Sequence, residues 1–333
     1  MRIIIICFLL ITPFFCFSQN EKSDNFSDEL FFMFYNVENL FDTIKSEKNS
    51  DNEFLPKSKK KWNTYKYFYK IKQLDKVFSS LAKNENNNSL PEIIGLCEVE
   101  NRLVIEDLLS CSSFENHKYT IVHKDSPDKR GIDCALLISN KFEILKKDFI
   151  LIDNPDANST TREIVFVKLK IDSNVVNVFV NHWPSRWGGQ KESNYKRVFA
   201  SKVLRNYIDL NTSLNEYTVI MGDFNDYPSN ESISILTKDE KFINLMTSKF
   251  VSGTGSYNYK GNWNWLDQIV VSKNFTFSNI NVISSGSFKR EFMLYKNKKG
   301  EGVPSRSFGG NNWYGGFSDH LPVYFKFNFV NND

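Results

Sequence analysis

Gly222-Asp223-Phe224-Asn225-Asp226 and Ser318-Asp319-His320 are two tight groupings of carboxylate, amide and imidazole side chains. The first follows the apolar run Thr218-Val219-Ile220-Met221, and the second precedes Leu321-Pro322-Val323-Tyr324-Phe325. Oxygen and imidazole ligands at strand ends can hold a hard divalent cation and steer a water onto phosphorus. The chemistry these residue types imply is metal-assisted hydrolysis of a phosphate ester.

Four more segments place polar side chains at strand ends. Asn36, in Phe34-Tyr35-Asn36-Val37-Glu38-Asn39, offers an amide oxygen suited to a metal-side or phosphate role, whereas Asn39 could equally cap a turn. Glu98 closes the apolar run Ile93-Ile94-Gly95-Leu96-Cys97, where a charge is costly unless paired or bound to metal. Glu100, further out, faces solvent or fixes a loop with Arg102. His182, one of four histidines, stands before a Trp183-Pro184 turn. It is either a structural imidazole or a proton donor to a leaving oxygen, the latter requiring a carboxylate to orient it. Asp133, on an otherwise apolar strand after Arg130-Gly131-Ile132, is the candidate orienter. Arg162 is placed to clamp phosphate oxygens, or else forms a surface ion pair. Asp267 opens the apolar run 268–271; alone it reads as a turn residue, but paired with His320 it would fix the imidazole tautomer.

These residues must be held by a β-rich frame. Strands are expected at 31–37, 92–99, 119–124, 132–139, 164–171, 175–181, 218–222, 266–271 and 321–329. Several are apolar throughout, as strands covered on both faces should be. Residues 65–81 place Phe68, Ile71, Leu74, Val77, Phe78 and Leu81 on one helical stripe. Residues 192–210 do the same with Tyr195, Val198, Phe199, Val203, Tyr207 and Ile208. Both stripes are expected to pack on a sheet. Many strands and few helices, without repeats or a natural linker, point to a two-sheet core with helices outside.

The 333 residues carry a net charge of +3, with 24% charged side chains. Near-neutrality gives no global argument for nucleic-acid binding, so any attraction for phosphate must be local. The aromatic content, 15%, exceeds what a core needs and supplies rings for a binding face. Met1-Arg2 followed by an apolar run to Phe17 reads as a secretory signal peptide over 1–18, too short to span a bilayer. Residues 19–29 then form a loose mature N-terminus and 30–330 the folded domain, exported to the periplasm or beyond. Of five cysteines, Cys7 and Cys16 fall in the leader. Cys97, Cys111 and Cys134 remain, with buried thiols expected at Cys97 and Cys134 rather than a bridge.

Asn36, Glu98, His182, Gly222-Asp223-Phe224-Asn225, Asp267 and Ser318-Asp319-His320, in that order, resemble the motif set of the endonuclease/exonuclease/phosphatase superfamily, the DNase I-like fold. The resemblance runs from about residue 31 to 328. It implies a four-layer α/β sandwich in which two central mixed β-sheets are flanked by helices, with the active site at one end. It also implies Mg²⁺, or alternatively Mn²⁺ or Ca²⁺, held by Glu98 with Asn36 and Asp319 nearby. Asp223 and Asn225 would position or activate the water, and Asp267 with His320 would stabilise the pentacovalent phosphorus. Thr161-Arg162-Glu163 resembles a phosphate-contacting segment of the secreted nucleases. His at 182, where abasic-site repair enzymes typically carry Tyr, together with the leader, points away from DNA repair. The acid that partners this His in DNase I has no unambiguous match, and Asp133 is inferred from its neighbourhood.

Substrate is narrowed less. A secreted DNase I-like endonuclease would hold DNA with lysines 57–61, Arg186-Trp187, Lys289-Arg290 and the lysines of 296–299, under a loop formed by 284–317. The same groups suit a phospholipid headgroup or an inositol or sugar phosphate. A lipid-directed enzyme should expose rings from Trp263-Asn264-Trp265 or Asn312-Trp313-Tyr314. A catalytically inactive binding module is a third reading, opposed by the presence of Glu98, Asp223 and His320. The protein is expected to act as a monomer without a stable protein partner.

Overall fold

The computed structural model describes residues 28–47, 52–157, 160–249, 253–277 and 279–330. The expected leader and residues 19–27 lie outside them. Strand β1 (Leu30–Leu40) leads through helix α1 (Thr64–Glu85) to β2 (Ile93–Val99). Helix α2 (Arg102–Leu109) is followed by β3 (Tyr119–His123), β4 (Asp133–Ser139), β5 (Glu143–Ile150), β6 (Ile164–Ile171) and β7 (Asn174–His182). Helix α3 (Gln190–Asn211) crosses to β8 (Tyr217–Asp223), before α4 (Glu231–Thr237) and β9 (Phe242–Asn244). A hairpin of β10 (Tyr257–Tyr259) and β11 (Asn262–Asn264) precedes β12 (Asp267–Ser272) and β13 (Ile280–Ser287). Two more hairpins, β14 (Leu294–Lys296) with β15 (Gly302–Pro304) and β16 (Phe308–Gly309) with β17 (Asn312–Trp313), come before the last strand, β18 (Val323–Phe329).

Six strands pair in the order β13-β18-β1-β2-β4-β3 and six in the order β5-β6-β7-β8-β12-β9. Each sheet has one parallel pair at its centre, β1 with β2 and β7 with β8. Parallel neighbours need a crossover, and α1 and α3 supply the two. The flanking strands β12 and β18 run antiparallel to β8 and β1. Their starts therefore lie at the same edge as the ends of the central strands. This topology explains why Asn36, Glu98, His182 and Asp223 occur at the ends of their strands, whereas Asp267 and His320 occur at the beginnings of theirs.

Burial divides the molecule into four layers. Phe32, Phe34, Cys97 and Leu136 of the first sheet meet Val165, Val178, Val180 and Met221 of the second. Alternate residues of the first sheet, Phe31, Met33, Tyr35 and Leu96, turn outward onto Leu74, Val77, Phe78 and Leu81 of α1. Phe166, Phe179 and Ile220 of the second turn outward onto Ala200, Leu204 and Ile208 of α3. The continuous apolar runs of the central strands follow from this double coverage. The observed layers are those of the DNase I-like α/β sandwich. Cys97 and Cys134 face each other across β2 and β4 as free, buried thiols.

Both long helices form, with corrections to their faces. Helix α1 buries Ile71, Leu74, Val77, Phe78 and Leu81 as expected, but Phe68 is exposed and Lys70 is buried instead. Helix α3 buries Ser193, Arg197, Ala200, Ser201, Leu204, Arg205 and Ile208, leaving Tyr195 exposed and Val198, Phe199, Val203 and Tyr207 on the flank. The inner face of α3 is polar because its side chains have partners underneath. Arg197 Nε lies 2.9 Å from Asp226, Ser201 Oγ donates to the Ser232 carbonyl, and Arg205 donates to that of Leu236. Strands β5 and β13 are additions to the expected set. They are the outermost strands of their sheets, and β5 carries Lys146 and Lys147 into solvent, so neither shows the apolar pattern of a covered strand.

Candidate active site

The polar side chains converge where the central strands of the two sheets end. The backbone is distorted there. Glu38, Asn39, Glu98 and Asn225 have φ of 51°, 51°, 62° and 51°, in the left-handed region that non-glycine residues rarely enter. The β1–β2 register shifts between Asn36 and Leu40, and the β2–β4 register shifts between Cys97 and Val99. Strain of this kind persists only where surrounding contacts enforce it. The contacts are present: Glu98 Oε2 accepts from Asn39 N–H at 2.9 Å, and Asn36 Oδ1 accepts from Glu38 N–H at 2.9 Å. Gly222 allows β7 and β8 to approach closely, since a Cβ on it would lie 2.3 Å from the Asn181 carbonyl oxygen.

Asp223 occupies the centre. Its Oδ2 accepts from Asn36 Nδ2 at 3.0 Å and its Oδ1 from Asn225 N–H at 2.9 Å. Burial pushes this carboxyl up to about 7, with Asp267 adding to the shift and His320, Asn225 and Asn36 opposing it. His320 Nε2 lies 3.9 Å from Asp223 Oδ2, and His320 Nδ1 lies 2.6 Å from Asp267 Oδ2. Burial alone would lower the imidazole, but the Asp267 and Asp223 carboxylates outweigh it and hold His320 well above its ordinary value. The Tyr257 ring covers this imidazole at 4.8 Å between centroids. Ser318 Oγ accepts from the His320 N–H and donates to the Asn36 carbonyl, tying the two motifs together.

His182 is buried with Nε2 3.7 Å from Asp223 Oδ2 and 3.9 Å from Glu98 Oε1. Burial, with Arg162 and Arg130 nearby, holds it well below its ordinary value, so it is neutral. The expected Asp133 brace is not made. Asp133 Oδ2 lies 3.1 Å from His123 Nε2, its Oδ1 accepts from Ser126 N–H, and His182 Nδ1 has no partner among the described residues. Asp133 opens β4 and His123 closes its antiparallel neighbour β3, so the two side chains meet at that edge instead. Arg162 is buried rather than on the surface, donating to Asp128 Oδ2 at 3.1 Å and to the Trp183 carbonyl at 2.9 Å. Asn225 Nδ2 donates to that same carbonyl at 3.0 Å.

The oxygen-rich side of the cluster suits a hard cation. Glu98 Oε1 accepts no hydrogen bond among the described residues, and it faces His182 and Arg130 at 3.9 Å. Carboxylate and amide oxygens, as offered by Glu98 and Asn36, match Mg²⁺, Mn²⁺ or Ca²⁺ better than a soft ion. Asp319 Oδ2 accepts from Arg306 Nη2 at 2.8 Å. Asp223, Asp267 and His320 are close enough to bracket an ion. Within this group Asp267 is hydrogen-bonded to the imidazole, whereas Asp223 stands 3.9 Å from it.

Several contributors carry little sequence signal. Tyr257 belongs to a hairpin rich in Asn and Gly. Glu38 and Arg130 stand within the segments around Asn36 and Asp133, where their charges look like those of ordinary turn residues. Lys70, buried under the cleft, donates to Ser307 Oγ at 2.9 Å and to the Phe317 carbonyl, and lies 3.9 Å from Glu38. It pins the 284–317 segment, which is not a loose loop but contains the end of β13 and two hairpins. Of the rings that a membrane-facing hairpin would expose, Trp265 is buried, and Tyr314 is exposed.

The chain matches the model of the Endonuclease/Exonuclease/phosphatase family over residues 31–328. No curated protein matches it. Among solved structures, it is similar to humanized D. rerio TDP2, with TM-score 0.58 and 13% identity over 91% of this chain and 100% of that one. It is also similar to a mannosyl-6-phosphatase of Bacteroides thetaiotaomicron, with TM-score 0.58 and 16% identity over 90% and 99%. The human Nocturnin catalytic domain aligns with TM-score 0.54 and 15% identity over 90% and 94%. At such identities the structural likeness establishes the fold alone; the family model supplies the rest. With these motifs at the ends of two such sheets, the chain belongs to the endonuclease/exonuclease/phosphatase family of phosphoesterases.

Proposed function

We propose that this protein hydrolyses a compact phosphate ester by metal-assisted in-line attack of water. The observation that carries the reading is the buried line Asp267–His320–Asp223, set beside the free Glu98 Oε1. Glu98 and Asn36 would hold a divalent cation, whose contribution is to neutralise charge building on a phosphoryl oxygen. Asp223, poised near neutrality, accepts the proton of the attacking water, and Asn225, fixed by the Trp183 carbonyl, keeps that water in line. His320, kept protonated by Asp267, donates to the phosphoryl group. His182 is neutral and serves as a hydrogen-bonding wall between Glu98 and Asp223, not as a charged acid.

A compact substrate is favoured over duplex DNA because three of the cations expected to track a polyanion, Arg186, Arg290 and Lys60, are engaged within the protein. Arg186 donates to the Asn225 carbonyl and Asp226 and stacks on Tyr227, and Arg290 pairs with Glu85. Lys60 packs over Phe54 and Phe308 and pairs with Glu53. The similar B. thetaiotaomicron protein is a sugar phosphatase, which agrees with this reading. A nuclease is the second reading, supported by the likeness to D. rerio TDP2 in complex with a single-strand DNA product. We further propose that residues 1–18 direct export and are removed, which N-terminal sequencing of the protein from its host checks.

The test is hydrolysis by residues 19–333 with Mg²⁺, Mn²⁺ or EDTA. The panel holds a sugar phosphate, an inositol phosphate, sphingomyelin, single-stranded DNA and plasmid DNA. Metal-dependent release of phosphate from the small esters alone supports the compact substrate. DNA cleavage at a higher kcat/KM selects the nuclease, and no turnover of any substrate revives the binding module.

A further inference from the structure

Beside the cleft lies a pocket of about 260 Å³ that the catalytic scheme does not use. Among the described residues, Lys129, Arg130, Arg162 and Lys196 line it against a single carboxylate, Asp128, which is already bound to Arg162 at 3.1 Å. Among the described residues no carboxylate pairs with Lys129 or Lys196. Three buried donors on its lining residues have no partner among the described residues: the Thr161 hydroxyl, Nε of Arg162 and Nδ2 of Asn154. Trp187, 90% exposed, stands at its rim. A free-standing indole costs apolar exposure with no packing in return, and an isolated ring beside cations suits a ring-bearing anion.

Two contacts join this pocket to the reacting centre. Arg130, on its wall, donates to Asn39 Oδ1 at 2.8 Å and lies 3.9 Å from Glu98. Arg162, on its floor, shares the Trp183 carbonyl with Asn225. An ester whose phosphorus lies among Glu98, Asp223 and His320 can thus extend its other end into the pocket. Lysines without carboxylate partners select oxygen anions, and the volume falls below the roughly 300–1,000 Å³ of sites for drug-sized ligands.

We propose that this pocket is a specificity subsite for a second phosphate, carried on the sugar or nucleoside part of the substrate, with Trp187 covering that ring. The proposal rests on the phosphoesterase reading for its placement in catalysis, but the binding itself does not. Lys129 and Lys196 supply the attraction for the anion, with Arg130 beside them on the lining.

The experiment is calorimetric titration of residues 19–333 with inorganic pyrophosphate in EDTA, so that neither metal nor turnover takes part. Wild-type protein should bind saturably, the Lys129→Glu/Lys196→Glu double variant at least tenfold more weakly, and Lys202→Glu, on the exposed side of α3, like wild type. A companion measurement compares p-nitrophenyl phosphate with a sugar bisphosphate. The double variant should raise KM at least tenfold for the bisphosphate only, and Trp187→Ala should do so to a smaller extent. Absence of saturable wild-type binding, equal weakening by Lys202→Glu, or equal KM changes on both esters would overturn the subsite. If wild type binds pyrophosphate as expected but hydrolyses neither ester, the catalytic reading fails while the pocket stands.

Discussion

Oδ2 of Asp267 lies 2.6 Å from Nδ1 of His320, although 53 residues separate them in the chain. They meet because β12 and β18 both begin at the edge where β8 and β1 end. The pair is almost wholly enclosed, so the carboxylate acts on the imidazole with little screening.

Asp267→Asn removes the foremost influence holding His320 up, leaving only Asp223 and Asp319 to oppose burial. The alkaline limb of the rate profile should move to lower pH, with kcat at pH 8 reduced more than kcat at pH 6. The sign for stability follows the same linkage. His320 is raised in the folded state, so its contribution is complete below its ordinary value of 6.5 and lost as pH rises through the higher folded value. Urea midpoints of wild type and variant should therefore converge as pH increases, and a constant gap from pH 6 to pH 10 would contradict this.

Glu98→Gln tests the cation. It keeps the shape and the contact with Asn39 N–H but removes the charge on the free oxygen. Outer contacts of metal sites commonly cost tenfold to a hundredfold in affinity, so a direct ligand should cost at least about tenfold. Titration with Mn²⁺ by calorimetry reads this directly.

Arg197→Ala should be the most destabilising single change on α3. It leaves Asp226, which is wholly buried and 2.9 Å from Arg197 Nε, without its main counter-charge. Breaking a buried pair from one side costs about 3–5 kcal/mol. Because Asp226 adjoins Asn225, activity should fall even in the folded fraction. Equilibrium urea unfolding and an assay at low temperature separate the two effects.

Gly222→Ala places a methyl 2.3 Å from the Asn181 carbonyl oxygen. Forcing β7 and β8 apart should cost about 1–3 kcal/mol. It should also displace His182 and Asp223, which face each other in the same register. A thermal shift accompanied by a fall in kcat is the expected result.

The double apolar coverage of β1, β2, β7 and β8 makes these strands legible, because residues facing opposite layers are all hydrophobic. The edge strands β5 and β13 are hidden by their solvent-facing polarity. Helix α3 misleads for the opposite reason: its buried face is built from Ser193, Arg197, Ser201 and Arg205, and Arg197, Ser201 and Arg205 find partners about 30 residues further along the chain. In the site, Asn36, Asp223 and His320 can be read because each stands at the end of an apolar run. Asp133 also stands there, but strand order decides that it meets His123. Tyr257 and Lys70 reach the cleft through hairpin and crossover geometry that residue spacing does not encode.

The most direct test of the central claim is the Mn²⁺-dependent initial rate of p-nitrophenyl phosphate hydrolysis by wild type and Asp223→Asn at matched folded concentration. Metal-assisted attack at this cluster predicts a wild-type rate abolished by EDTA and a loss on the order of a hundredfold or more in the variant. A variant that hydrolyses the ester at the wild-type rate, or a wild type indifferent to EDTA, would contradict it.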